Sequence, residues 1–231
     1  MKNIAKTAAL AWRYLWSRPL AAALNLLLLT LGLSAITLVL LVSTQLDRAF
    51  ERDLDGIDLV VGAKGSPLQL ILAGVFHIDV PTGNIPLQKV QALQQNPLVA
   101  QVVPLSLGDS YQGHRIVGTT PDYVAHYRAT LAEGALWQQP MDAVLGASAA
   151  RGIVKPDHAG QPLVGATFIG SHGLGGGGHA HGDHPYRVSG VLAPCGCVLD
   201  RLILTSTESV WQVHEAATAD DPEDLEILKQ E

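Results

Sequence analysis

Cysteine is almost missing from this chain. Cys195 and Cys197 are the two present in 231 residues, so no disulfide scaffold holds the fold and a hydrophobic core must do so instead. No acidic residue precedes Asp47, and no charge of either sign interrupts Leu20–Val42. No segment repeats at a fixed period. The glycines of positions 173 to 178 lack the GK[ST] ending and the strand–helix frame of a phosphate cradle. No G-x-S-x-G elbow surrounds a serine, which leaves Ser171-His172 without the frame of a nucleophile and base. The carboxylates are scattered and form no acid–base pair. These absences point away from an enzyme and toward a non-catalytic role.

What is present begins with the uncharged run itself. Leu20–Val42 is 23 residues long and Asn25 is its one amide side chain. At about 1.5 Å per residue it reaches roughly 35 Å, enough to cross a hydrocarbon core of about 30 Å with some tilt. A cleaved secretory signal fits it poorly, because the apolar region is too long and no small-x-small site follows in VSTQLDRAF. Lys2, Lys6, Arg13 and Arg18 precede the run, whereas the chain beyond it carries 11 Lys and Arg against 21 Asp and Glu. Basic residues mark the cytoplasmic flank, which predicts an N-terminus inside and the bulk of the chain outside. With no basic stripe beyond the membrane end, nucleic acid is excluded as a partner.

The rest follows in chain order. Residues 1–19 read as a cytoplasmic segment in which Ile4–Trp16 forms an amphipathic interfacial helix; its tryptophans and basic residues suit lipid headgroups. Pro19 opens a new helix. The span covers 20–42, and 43–54 continues it as a stalk, with Leu46, Phe50 and Leu54 at helical spacing and Asp47, Arg48, Glu51 and Arg52 on a wet face. Residues 55–215 form one α+β domain. Strands are expected at Ile57–Val61, Leu98–Leu107, Gly165–Ile169, Tyr186–Leu192 and Leu202–Leu204, and one strand or a pair at Ser110–Gly118; Ala143–Gly152 reads as strand, tight turn and helix start. Helices are expected at Pro86–Gln95 and Glu208–Glu215, the last with Val210 and Trp211 in the core, and a helix or turn at Pro121–Tyr127. Leu68–Phe76 is open to either reading. Residues 216–231 make an acidic tail or the stub of a second stalk.

One loop carries the densest chemistry. Ser171–His184, SHGLGGGGHAHGDH, gathers His172, His179, His181, Asp183 and His184, and Cys195 and Cys197 follow about ten residues on. Imidazole, carboxylate and thiolate suit zinc or copper. The same composition describes a solvated loop whose adjacent glycines raise the entropy lost on closing around an ion. The cysteine pair reads first as turn residues after Pro194, and otherwise as metal thiolates or a redox pair. His77, His114, His126, His158 and His214 are read as surface or satisfied interior residues.

Taken together, WRYLWSRPLAAALNLLLLTLGLS, VVGAKGSPLQ, VPLSLGDSYQGHRIVGTTPDY, AVLGASAARG and HPYRVSGVLAPCGCVLDRLILTSTESVWQVHE resemble the permease subunit of an ABC transporter of the MacB/FtsX/LolC type, over residues 1 to about 215. Such permeases have four spans with the large periplasmic domain between the first two, so the chain resembles the N-terminal portion of one. The resemblance implies a MacB-like periplasmic core tethered in the inner membrane and no enzymatic activity or required cofactor of its own. It further implies a cytoplasmic ATP-binding subunit as partner, a homodimer or heterodimer of permeases, contact with membrane lipid, a periplasmic adaptor, and lipoprotein, peptide or amphiphile cargo. Two rivals stand beside it: a tethered periplasmic module binding zinc or copper through the histidine loop, and an inert anchored interaction protein.

Overall fold

The computed structural model describes residues 2–153, 162–172 and 184–220. The chain divides into two compact units, Met1–Glu51 and Arg52–Glu231.

In the first unit, α1 (Lys2–Ser17) breaks just before Pro19, which opens α2 (Pro19–Leu54). Proline suits this position because the first-turn N–H has no partner to lose. Trp12 and Trp16, one turn apart on α1, pair at 6.1 Å between ring centroids. α2 is 36 residues long and unbroken. Its leucines from Leu24 to Leu41 are exposed, and its most apolar window has no buried residue. A core helix of a soluble protein would bury that surface. This helix is long and apolar enough to cross a membrane.

The second unit is α+β. Its helices are α3 (Pro67–Gly74), α4 (Leu87–Gln94), α5 (Pro121–His126), α6 (Ala147–Ile153) and α7 (Thr207–Asp220). Its strands are β1 (Ser106–Tyr111), β2 (His114–Thr119), β3 (Leu131–Gly134), β4 (Asp142–Leu145), β5 (Thr167–Phe168), β6 (Ser171–His172), β7 (Tyr186–Leu192) and β8 (Ile203–Ser206). They form one sheet in the order β3-β7-β4-β8-β2-β1-β6, with β5 also on β7. The β2–β8 and β4–β7 pairs are parallel and the others antiparallel.

Both faces of this sheet are covered, and neighbouring residues divide between them. Ile116, Leu145, Val191 and Ile203 pack into one core with Ala149, Ala150 and Tyr186. Val117, Val144, Leu192 and Leu204 pack into the other with Tyr123, Val198 and Leu199. Runs such as AVL and LIL, apolar without alternation, are the pattern of strands buried on two sides.

Several expectations need correcting. Ile57–Val61 pairs with no strand among the described residues; Leu59 is exposed, and Val60 instead lies against Gly74 of α3. The strand expected from Leu98 starts only at Ser106, because Pro104 has no N–H to give a ladder. Leu68–Phe76 resolves as helix over Pro67–Gly74. β3 was not anticipated: its four residues are all exposed and carry no apolar alternation. Val210 is buried, but Trp211 is 41% exposed rather than core.

Candidate functional site

The last turn of α2 is where charge is taken out of water. Asp53 is the one buried residue of that helix, 7% exposed. It lies seven residues beyond Leu46 and so shares the stripe that the sequence marks as apolar. Arg201 Nη2 approaches Asp53 Oδ2 at 3.6 Å. Burial pushes the Asp53 carboxyl above its usual range, while the Arg201 guanidinium and the Val198 N–H pull it back. The Asp53 carbonyl accepts a hydrogen bond from the Tyr127 hydroxyl at 2.8 Å.

From Tyr127 the polar contacts run inward. Its ring meets Tyr123 edge-on at 5.4 Å between centroids, and the Tyr123 hydroxyl and His77 Nε2 are 2.8 Å apart. Burial raises both phenols, Tyr127 to about 12 and Tyr123 well above the ordinary value; the Asp53 charge adds to the shift at both. His77 is 4% exposed at a backbone φ of +54°. Burial, then Arg115 and Arg201, hold its pKa down at about 3, so the imidazole is neutral near pH 7. Burial thus favours the uncharged form of all three side chains. They link the end of α2 to the interior through groups of fixed protonation.

A second attachment lies beside the first. The Arg52 guanidinium donates to the carbonyl of Gly196, inside a disulfide that joins Cys195 to Cys197. Gly196 sits at φ +67°, a conformation that favours glycine, and a Cβ there would meet Arg52 Nη1 at 2.7 Å. The Asp200 carboxylate accepts the N–H groups of Cys195 at 3.0 Å and Gly196 at 2.8 Å. Asp200 and Arg201 belong to one 3₁₀ turn, Val198–Arg201, so the disulfide loop and the arginine that faces Asp53 are placed together. The reading of Arg52 as part of a wet face is therefore corrected: its head group is exposed but bonded to the domain.

At the other end of the domain, Ser206 receives the Ser209 N–H at 3.2 Å and starts α7. The Ser209 hydroxyl accepts the Met141 N–H at 2.9 Å and the Thr205 hydroxyl at 2.9 Å, tying that start to β4 and β8. An open cleft lined by Trp137, Gln138, Pro140 and Glu208 lies nearby.

The residues proposed for a metal are not brought together by the described structure. His172 ends β6, where its backbone pairs with Asp109, and His184 stands two residues before β7. His179, His181 and Asp183 lie outside the described residues. Cys195 and Cys197 bind each other, so in this oxidised form neither offers a thiolate. Among the described residues no group of three or more His, Cys, Asp or Glu could hold an ion. A zinc or copper site thus rests on composition alone.

Comparison with known proteins agrees with the fold and the long apolar helix. A family model described as the MacB-like periplasmic core domain matches residues 22–231. The chain belongs to that family. Two solved structures resemble the MacB-like domain at low identity. One is the periplasmic region of MacB from Actinobacillus actinomycetemcomitans, at 17% identity, TM-score 0.40 and coverage of 56% of this chain and 58% of that one. The other is the extracellular domain of the noncanonic ABC-type transporter YknZ from Gram-positive bacteria, at 14% identity, TM-score 0.40 and coverage of 55% and 65%. The chain thus spans under two thirds of either structure. No curated protein matches it.

Sequence reasoning missed the joint. Asp53, His77, the Tyr123/Tyr127 pair and Arg201 are far apart in the chain, and the family-like segments that contain Tyr123 and Arg201 do not mark them as partners. The available signal was Asp53 itself, a carboxylate at an apolar heptad position.

Proposed function

We propose that this chain is the membrane-anchored, periplasmic portion of a MacB-type ABC permease, and that it carries motion from the membrane to its periplasmic domain. The supporting observation is α2, an unbroken helix whose final turn is fastened by Arg52, Asp53 and Tyr127 to the domain's 3₁₀ turn and α5. A partner subunit in the cytoplasm hydrolyses ATP, and α1 lies at the membrane face nearest to it. Residues 43–54 act as the stalk, and α7 starts the return path. The cargo is a lipoprotein, peptide or amphiphile that is already outside the membrane, and the permeases work in pairs. A disulfide in the domain fits the oxidising side of the membrane.

The test is purification of the full chain from native membranes under mild detergent. A cytoplasmic ATPase should come with it. Asp53→Asn combined with Tyr127→Phe should keep that association yet lower cargo-stimulated ATP hydrolysis several-fold. Absence of any ATPase from the purified material overturns the reading.

A further inference from the structure

The Cys195–Cys197 disulfide has an unusual setting. It closes around a single residue, so it removes little freedom from the unfolded chain and is a poor staple for the fold. It joins no two elements of the sheet. Its two sulfurs differ in access: Cys195 is half-buried and follows exposed Pro194, whereas Cys197 is 7% exposed and packs in the core with Val198 and Leu199. Gly196 between them is exposed and has no side chain to cover the bond. Access to solvent lets a disulfide exchange with thiols, and here the less buried side is that of Cys195.

The loop is also wired to α2. Its central carbonyl holds Arg52, and its first two N–H groups hold Asp200, next to Arg201 and hence Asp53. The Cys197 N–H donates to Cys195 Sγ at 3.2 Å, a contact that depends on the closed ring.

We propose that Cys195–Cys197 is a reversible thiol–disulfide exchange site for an external dithiol, and that its oxidised form holds the last turn of α2. One thiolate of the dithiol attacks Cys195 Sγ, on the less buried of the two cysteines, and the bond to Cys197 Sγ breaks. Cys197 leaves as a thiolate and takes a proton from water. The dithiol's second thiolate then attacks its own sulfur in the mixed disulfide, closing the dithiol's disulfide and releasing Cys195, which is protonated in turn. Two electrons pass from the dithiol to the pair. A protein disulfide reverses the sequence by accepting them back. In the reduced form the ring is open, the Asp200 bonds alone hold Gly196, and its carbonyl holds Arg52 less firmly.

This site stands independently of the transport reading, and its test uses the full chain in detergent micelles. Reduction by dithiothreitol without denaturant is followed by trapping free thiols with a maleimide that adds mass. A capped peptide of residues 194–198 provides the rate for an unprotected ring. The folded chain should gain both thiols together, at a rate within about thirty-fold of the peptide. A slower rate, or one that appears only in urea, shows a structural disulfide and overturns the proposal. Hydrogen exchange then reads the link to α2. Amides of residues 52–54 and 195–201 should exchange at least about tenfold faster after reduction and recover on reoxidation. Unchanged exchange at residues 52–54 overturns that link. Cys195→Ser with Cys197→Ser should reproduce the reduced pattern; because reduction is reversible in the native protein, the measurement does not depend on that variant folding.

Discussion

At the scale of single residues, the joint at Asp53 turns on what happens when one partner is removed. Arg201 is 53% exposed on its side chain, so the pair with Asp53 is partly solvated. Arg201→Ala should lower stability by about 1–2 kcal/mol, mainly by leaving the Asp53 carboxylate buried without its counter-charge. Adding Asp53→Asn to that variant should restore part of the loss. A urea titration of all four members of the cycle measures the coupling; additive losses would show that the pair does not interact. His77 makes a prediction about acid. A base whose folded pKa is depressed to about 3 must release its buried site to take a proton. Its contribution is complete above the unfolded value near 6.5 and is lost as pH falls from there toward 3, at up to about 1.4 kcal/mol per pH unit. The midpoint in urea should fall between pH 6.5 and 4.5, and His77→Gln should flatten that part of the profile. None of these partnerships was legible in the sequence. Arg52 and Gly196 lie 144 residues apart, and hydrogen bonds across such distances leave no local pattern to read.

At the scale of elements, periodicity and length were good guides where burial was complete. α2 was readable because 23 uncharged residues admit little else, and β4 and β8 because the apolar runs AVL and LIL suit doubly covered strands. Where burial was partial, the same rules failed. IDLVV looks like a strand by composition but has no neighbour to pair with among the described residues, and exposed β3 is a strand only because β7 provides one. The meeting of β4 and α6 shows a further requirement that composition hides. A Cβ on Gly146 would stand 2.0 Å from the Leu199 carbonyl oxygen and 2.6 Å from that of Asp200. Gly146→Ala must therefore push the 3₁₀ turn away, and with it Asp200 and Arg201. It should cost about 2–3 kcal/mol and speed hydrogen exchange at residues 195–201. Unchanged exchange there would show that the turn is held by other contacts. Ser209→Ala should cost about 1–3 kcal/mol by leaving the Met141 N–H without its acceptor, read as a lower thermal midpoint.

For the whole molecule, the charge asymmetry predicts which side of the membrane each part occupies. Protease added to intact spheroplasts should cleave within residues 52–220 and leave a tag on the N-terminus intact. Cleavage of the tag instead would reverse the orientation. The strand order carries a different consequence, one about synthesis. Among the described residues β8 is the last strand in the chain and the central one of the sheet, between β4 and β2. Until Ile203–Ser206 has crossed the membrane, the domain consists of two half-sheets, β3-β7-β4 and β2-β1-β6, each with an open edge where the missing strand belongs. Nascent chains arrested before residue 203 should be protease-sensitive and depend on chaperones, and resistance should arise in a single step once the central strand has emerged.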